Sequence, residues 1–197
     1  MYKEMNKKEE NIVLIIQIIL ISAIFGFIYE TIFYRIDLGY FVKRGYTIGP
    51  WLPIYATGGL LIYLSNIKNK NNILKIFINS AVMCGLLEFI VGYLLLHISH
   101  IRLWDYNTEI LNFGNINGFV CLRSVMFFGL SALLLMYVIV PFCFHVANKS
   151  NKKVFLIVTI SICSIFLADE FYNLIFTKLF NLPKATTIYK SIGIHYM

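Results

Sequence analysis

The sequence predicts an all-α fold, a polytopic transmembrane helix bundle, and three observations carry that reading. Of its 197 residues 59% are hydrophobic and 14% charged, where a soluble domain of this size has roughly 45–50% and about 25%. Mean hydropathy is +0.74. The apolar residues also come in long blocks separated by short polar clusters, the pattern of a chain that enters a bilayer repeatedly.

A hydrocarbon core of about 30 Å takes roughly 20 apolar residues as a helix. Segments at about 12–34, 48–64, 73–98, 119–144 and 154–180 give about five spans in a single integral membrane domain covering 1–197. The second is the shortest and holds Pro53, Gly58 and Gly59, so it either spans or is re-entrant. Met1–Asn11 is polar and mixed in charge. The block after it is too long for a signal-peptide core and lacks a small-residue cleavage site, so it reads as an uncleaved first span.

The formal net charge is +7. The lysines sit between apolar blocks, which makes anionic membrane lipids the expected partner and nucleic acid an unsupported one. Cys84, Cys121, Cys143 and Cys163 lie in apolar surroundings without CxxC spacing. They read as small buried hydrophobes, with no metal site and no cofactor implied. His97 and His100, at i and i+3 near a helix end, read as interfacial residues before metal ligands.

Five spans put the termini on opposite sides. A cytoplasmic N-terminus collects Lys3, Lys7, Lys8, Lys68, Lys70, Lys75, Lys149, Lys152 and Lys153 inside the cell membrane. Outside lie Arg35, Lys43, Arg44, Arg102, Arg123, Lys178, Lys184 and Lys190, so the raw bias is small. The inner set is all lysine, while the arginines stand among aromatics, glycines and acids. Setting the arginines aside as functional residues leaves a surplus that favours an inside N-terminus.

In that topology Glu30, Glu88, Arg123, Asp169 and Glu170 fall in the outer halves of their helices. Arg35, Asp37, Lys43, Arg44, Arg102, Asp105 and Glu109 lie on the two outer loops. A charge at helix centre costs about 2.5–3.5 kcal/mol, so such residues face the bundle interior and pair. Glu30 and Glu88 find plausible partners in Arg44, Arg102 and Arg123. The expectation is a polar cavity open to the outer side; the alternative is an ion-pair network that only fixes helix packing.

Two loops carry motifs. The first runs from Lys43-Arg44-Gly45 to Gly49-Pro50, then Trp51-Leu52-Pro53-Ile54-Tyr55. Its glycines allow tight turns that could offer N–H groups to an anion near Arg44; a well-built helix start with a snorkelling arginine explains them equally. The second carries Arg102, then Trp104-Asp105-Tyr106, and Asn112 to Gly118 including Asn117. Asp105 between two aromatics suggests a folded loop that dips towards the bundle.

These residues resemble, in order, the family catalogued as Putative ABC-transporter type IV integral membrane proteins. The resemblance rests on Phe25-Gly26 with Glu30, on the first loop through Tyr55, and on Leu87-Glu88. It continues with Trp104-Asp105-Tyr106, Asn112 to Gly118, and Leu122 with Ser124 before Phe128-Gly129. Lys43, Ala56 and Phe128 stand where the family usually has Asn, Gly and Trp. The resemblance implies a multi-pass bacterial permease with a separate ATPase subunit, since no Gly-x-x-x-x-Gly-Lys-Ser/Thr loop is present. Five spans form no ready pathway alone, so a permease would oligomerise.

The candidate ligand-binding cluster is therefore Glu30, Arg44, Tyr55, Glu88, Arg102, Trp104, Asp105, Tyr106, Asn117 and Arg123, with Asp169 secondary. Its arginines suit a phosphate or carboxylate, so the ligand is anionic or lipid-like. Two other readings stay open. One is a membrane-embedded enzyme using Glu30 and Glu88 as acid and base on a lipid-linked or anionic substrate. The other is a scaffold subunit packed through the small residues at Gly26, Gly58-Gly59 and Gly85.

Overall fold

The computed structural model describes residues 7–196 and is 71% helical. Lys3 and the first residues of the polar N-terminal segment lie outside the described residues. Among the described residues four helical stretches are long and apolar enough to cross a membrane: Asn11–Leu38, Ile73–Ser99, Leu122–Lys149 and Lys152–Leu179. The first belongs to α1, Lys7–Leu38. The second is α3, Ile73–Ser99.

Between them α2 covers Pro53–Asn66, 14 residues, or about 21 Å at 1.5 Å per residue, short of a full hydrocarbon core. The expected segment at 48–64 thus divides. Its first residues belong to a loop, and the helix starts at Pro53, where a missing N–H costs no hydrogen bond and the fixed φ suits a first turn.

The chain forms two compact units, Met1–Ala56 with Phe142–Met197, and Thr57–Pro141. In the first, α1 packs along α6, Lys152–Phe171. Their core gathers Leu20, Ala23, Trp51, Ala56 and Phe166, with the Trp51 and Phe166 rings edge to face at 5.7 Å. The Leu52 N–H donates to the Ala23 carbonyl at 3.0 Å, which ties the loop before α2 to the middle of α1. Gly26 is required here: the ring of Tyr55 occupies the place a Cβ would take.

The loop of residues 39–52 holds β1, Val42–Lys43, which pairs in parallel with β2, His195–Tyr196. α6 continues through a π-helical turn, Tyr172–Phe176, into the short α7, Thr177–Leu179. A further helix the sequence reading did not foresee, α8, covers Ala185–Ser191.

The second unit sets α3 against α4, Leu122–Leu134, which is followed by a π-helical turn at Leu135–Ile139. The chain then runs on as α5, Val140–Lys149. On α3 the buried positions are mostly small or polar: Ser80, Ala81, Cys84, Gly85, Glu88 and Gly92. Ile78, Val82, Leu86 and Ile90 are 50–56% exposed. Large residues outward and small ones inward reverse the order of a water-soluble helix and suit one solvated by lipid, where close backbone approach drives packing.

The α2 end of this unit is polar and buried. Asn66 donates to Ser80 Oγ at 2.9 Å and to the Ile62 carbonyl at 2.9 Å. All four cysteines are free thiols.

Candidate functional site

The sequence-selected residues gather into two clusters, one within each unit. In the first unit α1 presents Glu30, and the loop after it turns back to bring Arg44 to the carboxylate. Arg44 Nε lies 2.9 Å from Glu30 Oε2, with side-chain exposures of 4% and 18%. The guanidinium carbon stands 3.9 Å over the ring of Tyr34, one turn further along α1. A weakly hydrated planar cation suits that sandwich between carboxylate and ring face. Tyr55, half-buried, sits against Gly26 of the same helix.

The loop itself closes around Lys43. This ammonium donates to the carbonyls of Arg44 at 2.9 Å, Thr47 at 3.1 Å and Gly49 at 3.1 Å. It also lies 4.7 Å from the Phe27 ring centroid. Burial pushes its pKa down to about 8, against a smaller upward pull from Asp169. The Thr47 hydroxyl donates to the Trp51 carbonyl at 3.0 Å, and the Tyr189 hydroxyl of α8 donates to the Ile48 carbonyl at 2.6 Å.

Two N–H groups of the turn at Gly49, those of Ile48 and Gly49, are taken from within the chain. Asp169 of α6 accepts from the Ile48 N–H at 2.9 Å, the Gly49 N–H at 2.7 Å and Trp51 Nε1 at 2.8 Å. Asn173 adds a fourth bond at 2.7 Å. Asp169 is therefore the anchor of this loop. Beside it Glu170 accepts from the Tyr46 hydroxyl at 2.5 Å. Burial raises the Tyr46 phenol well above its ordinary pKa, and the hydrogen bond to Glu170 adds to the shift.

In the second unit Glu88 projects from α3. Its Oε1 accepts from the Tyr106 hydroxyl at 2.5 Å and its Oε2 from Ser124 Oγ at 2.8 Å. Both oxygens of Glu88, for which the sequence suggested an arginine, are thus met by hydroxyls. Arg123, in the first turn of α4, pairs instead with Glu109 at 2.5 Å, and the two side chains are 13% and 4% exposed. Its guanidinium carbon lies 5.3 Å from the Tyr106 ring centroid. Carboxylate, phenol, guanidinium and carboxylate thus form one chain of contacts, from Glu88 through Tyr106 and Arg123 to Glu109.

The loop of residues 100–121 is folded, as Asp105 between aromatics suggested. Arg102 pairs with Asp105 at 3.0 Å and donates to the Asn117 carbonyl at 2.5 Å. Trp104 Nε1 donates to the Phe119 carbonyl at 2.9 Å. Asn117 and Gly118 both take left-handed backbone, φ 52° and 78°, which turns the chain so that Gly118 packs among Arg102, Asp105 and Asn107.

Arg102, Asp105 and Asn117 thus shape the loop, while Tyr106 and Arg123 sit where it meets the helices. The partners that sequence reasoning did not assign are Tyr34, Glu109 and Ser124. Ser124 follows Arg123 directly. Glu109 is buried while the apolar pair after it, Ile110-Leu111, is exposed, so no local pattern in the sequence marks Glu109 as turned inward.

The fold and these clusters define a multi-pass helical membrane protein in which Glu30, Glu88, Arg123 and Asp169 are each met from a loop or a neighbouring helix. The chain belongs to the family described as Putative ABC-transporter type IV, whose model matches residues 17–174. Neither a curated protein nor a solved structure matches it significantly.

Proposed function

We propose that this protein is a permease-like subunit that holds an anionic group, a phosphate or a phosphate-bearing lipid headgroup, on Arg123. The observation that supports it is the Arg123–Glu109 pair. A mostly buried guanidinium is met by a carboxylate that a loop supplies. The pair is closed on one face by Tyr106. An incoming phosphate presents the same charge and a similar oxygen spacing to the guanidinium fork. Glu109 then acts as a placeholder that leaves when the ligand arrives.

Family membership supports transport as the setting. With no nucleotide-binding loop in the sequence, the ATPase is a separate subunit. A bundle this small reaches a continuous pathway by homo-oligomerising, with its N-terminus in the cytoplasm of a cell-membrane protein. The enzyme reading draws less support, because both oxygens of Glu88 accept from hydroxyl groups, an arrangement that steadies a carboxylate more than it frees one for proton transfer.

The test is retention of phosphatidylglycerol against phosphatidylcholine, read by native mass spectrometry of the protein released from nanodiscs of each lipid. Inorganic phosphate is added in a parallel arm to separate a headgroup site from a free-ion site. Wild type is expected to retain phosphatidylglycerol preferentially, and Arg123→Lys to lose most of that preference. Equal retention of both lipids by wild type, with no phosphate adduct, would overturn the proposal.

A further inference from the structure

We infer that Glu170 is a proton-binding site of the first unit, separate from the arginine clusters. Two neighbouring carboxylates on α6 are treated in opposite ways. Asp169 accepts four hydrogen bonds, from Ile48, Gly49, Trp51 and Asn173. Glu170 is 9% exposed, receives one donor, the Tyr46 hydroxyl on Oε2, and its Oε1 is buried with no hydrogen-bond partner among the described residues.

A buried anion needs its charge spread over donors, and a single phenol does not supply that. A proton on Oε1 removes the charge and leaves Oε2 as the acceptor Tyr46 requires. The ligand of the site is thus a proton, held on the oxygen that protein donors leave open.

The titratable groups around Glu170 agree with this assignment. Asp169, on its own helix, is held in place by its four donors. From the loop come Tyr46, which stays protonated, and Lys43, whose ammonium is committed to three carbonyls. Tyr189 of α8 is committed to the Ile48 carbonyl. On α1, which packs along α6, Glu30 is committed to Arg44. A π-helical turn begins at Tyr172, two residues on; such turns recur where a helix carries function.

A hydrophobic carbodiimide tests the site. The acid proton passes to a carbodiimide nitrogen while the carboxyl oxygen adds to the central carbon; acyl migration to nitrogen then leaves a stable N-acylurea, with no group lost. The full-length protein in membranes is treated with dicyclohexylcarbodiimide across a pH series and mapped by peptide mass spectrometry. The expected result is an adduct on Glu170 and none on Asp169, declining as pH rises. Tyr46→Phe removes the donor that favours the ionised form, so labelling should persist to higher pH.

Mapping in wild type makes the result independent of whether Glu170→Gln folds. No adduct on Glu170 at any pH, labelling that ignores pH, or a midpoint unmoved or lowered in Tyr46→Phe would overturn the assignment.

Discussion

Arg44 and Glu30 meet at 2.9 Å between a loop and α1, and the same guanidinium lies 3.9 Å over Tyr34. Both charges are largely withdrawn from water, so removing either leaves the other without its counter-charge. Glu30→Gln or Arg44→Met is expected to destabilise the protein by about 3–5 kcal/mol. The double variant should recover part of that loss. Thermal unfolding of the purified protein in detergent reads this directly, and strictly additive losses would show that the pair is not coupled.

Glu88 behaves differently because its partners are neutral hydroxyls. In Glu88→Gln the amide oxygen can still accept from Tyr106 while its NH2 donates to Ser124, so the cost should stay near or below about 1 kcal/mol. Glu88→Leu removes the carboxylate to which the Tyr106 hydroxyl donates, while Ser124 Oγ can still donate to the Cys121 carbonyl at 2.9 Å. The cost should therefore be about 1–3 kcal/mol. The same unfolding measurement separates the two. A Gln variant as damaged as the Leu variant would mean that the negative charge itself is required.

Lys43 gives a pH signature. Its pKa falls from 10.5 in the unfolded chain to about 8 in the folded one. Between those values the unfolded state binds more protons, so this group makes stability rise with pH from about 8 to 10.5 and withholds that gain below about 8. The stability of wild type minus that of Lys43→Met should therefore increase across this window. A difference that is flat with pH would contradict the burial argument.

Gly118 carries φ 78° and packs where a Cβ would strike Arg102, Asp105 and Asn107. Gly118→Ala should cost about 1–2 kcal/mol in backbone strain and loosen the 100–121 loop beyond that. Limited proteolysis should cut this loop faster in the variant. Unchanged cleavage would show that the turn adapts.

The fold class was legible because hydrophobic blocks of membrane length leave little choice. Where a span is expected at 73–98 the structure has a helix over Ile73–Ser99; Asn72 caps its start and His100 takes left-handed backbone at its end. The second segment, expected at 48–64, is helical only from Pro53, although Ile48 to Leu52 are as apolar as a span. Their backbone is instead claimed by Asp169 and Ala23, contacts from distant positions that no local pattern records. Tertiary structure overrode composition there.

The candidate clusters were legible in their residue types and less so in their pairing. Glu30 with Arg44, and Arg102 with Asp105, follow from short separations. Arg123 with Glu109, and Glu88 with Tyr106 and Ser124, depend on how the 100–121 loop folds back. Hydropathy cannot see this, because hydroxyl groups satisfy Glu88 where a count of charges calls for a cation.

The central claim is that Glu109 holds the place of an incoming anion on Arg123, and Glu109→Gln tests it most directly. The variant keeps the side-chain volume and removes the competing charge. Measured as phosphatidylglycerol retention in nanodiscs, it should bind more tightly than wild type, while Arg123→Lys binds less. If Glu109→Gln weakens retention or leaves it unchanged, Glu109 is not a competitor for the site, and the pair is a structural ion bridge.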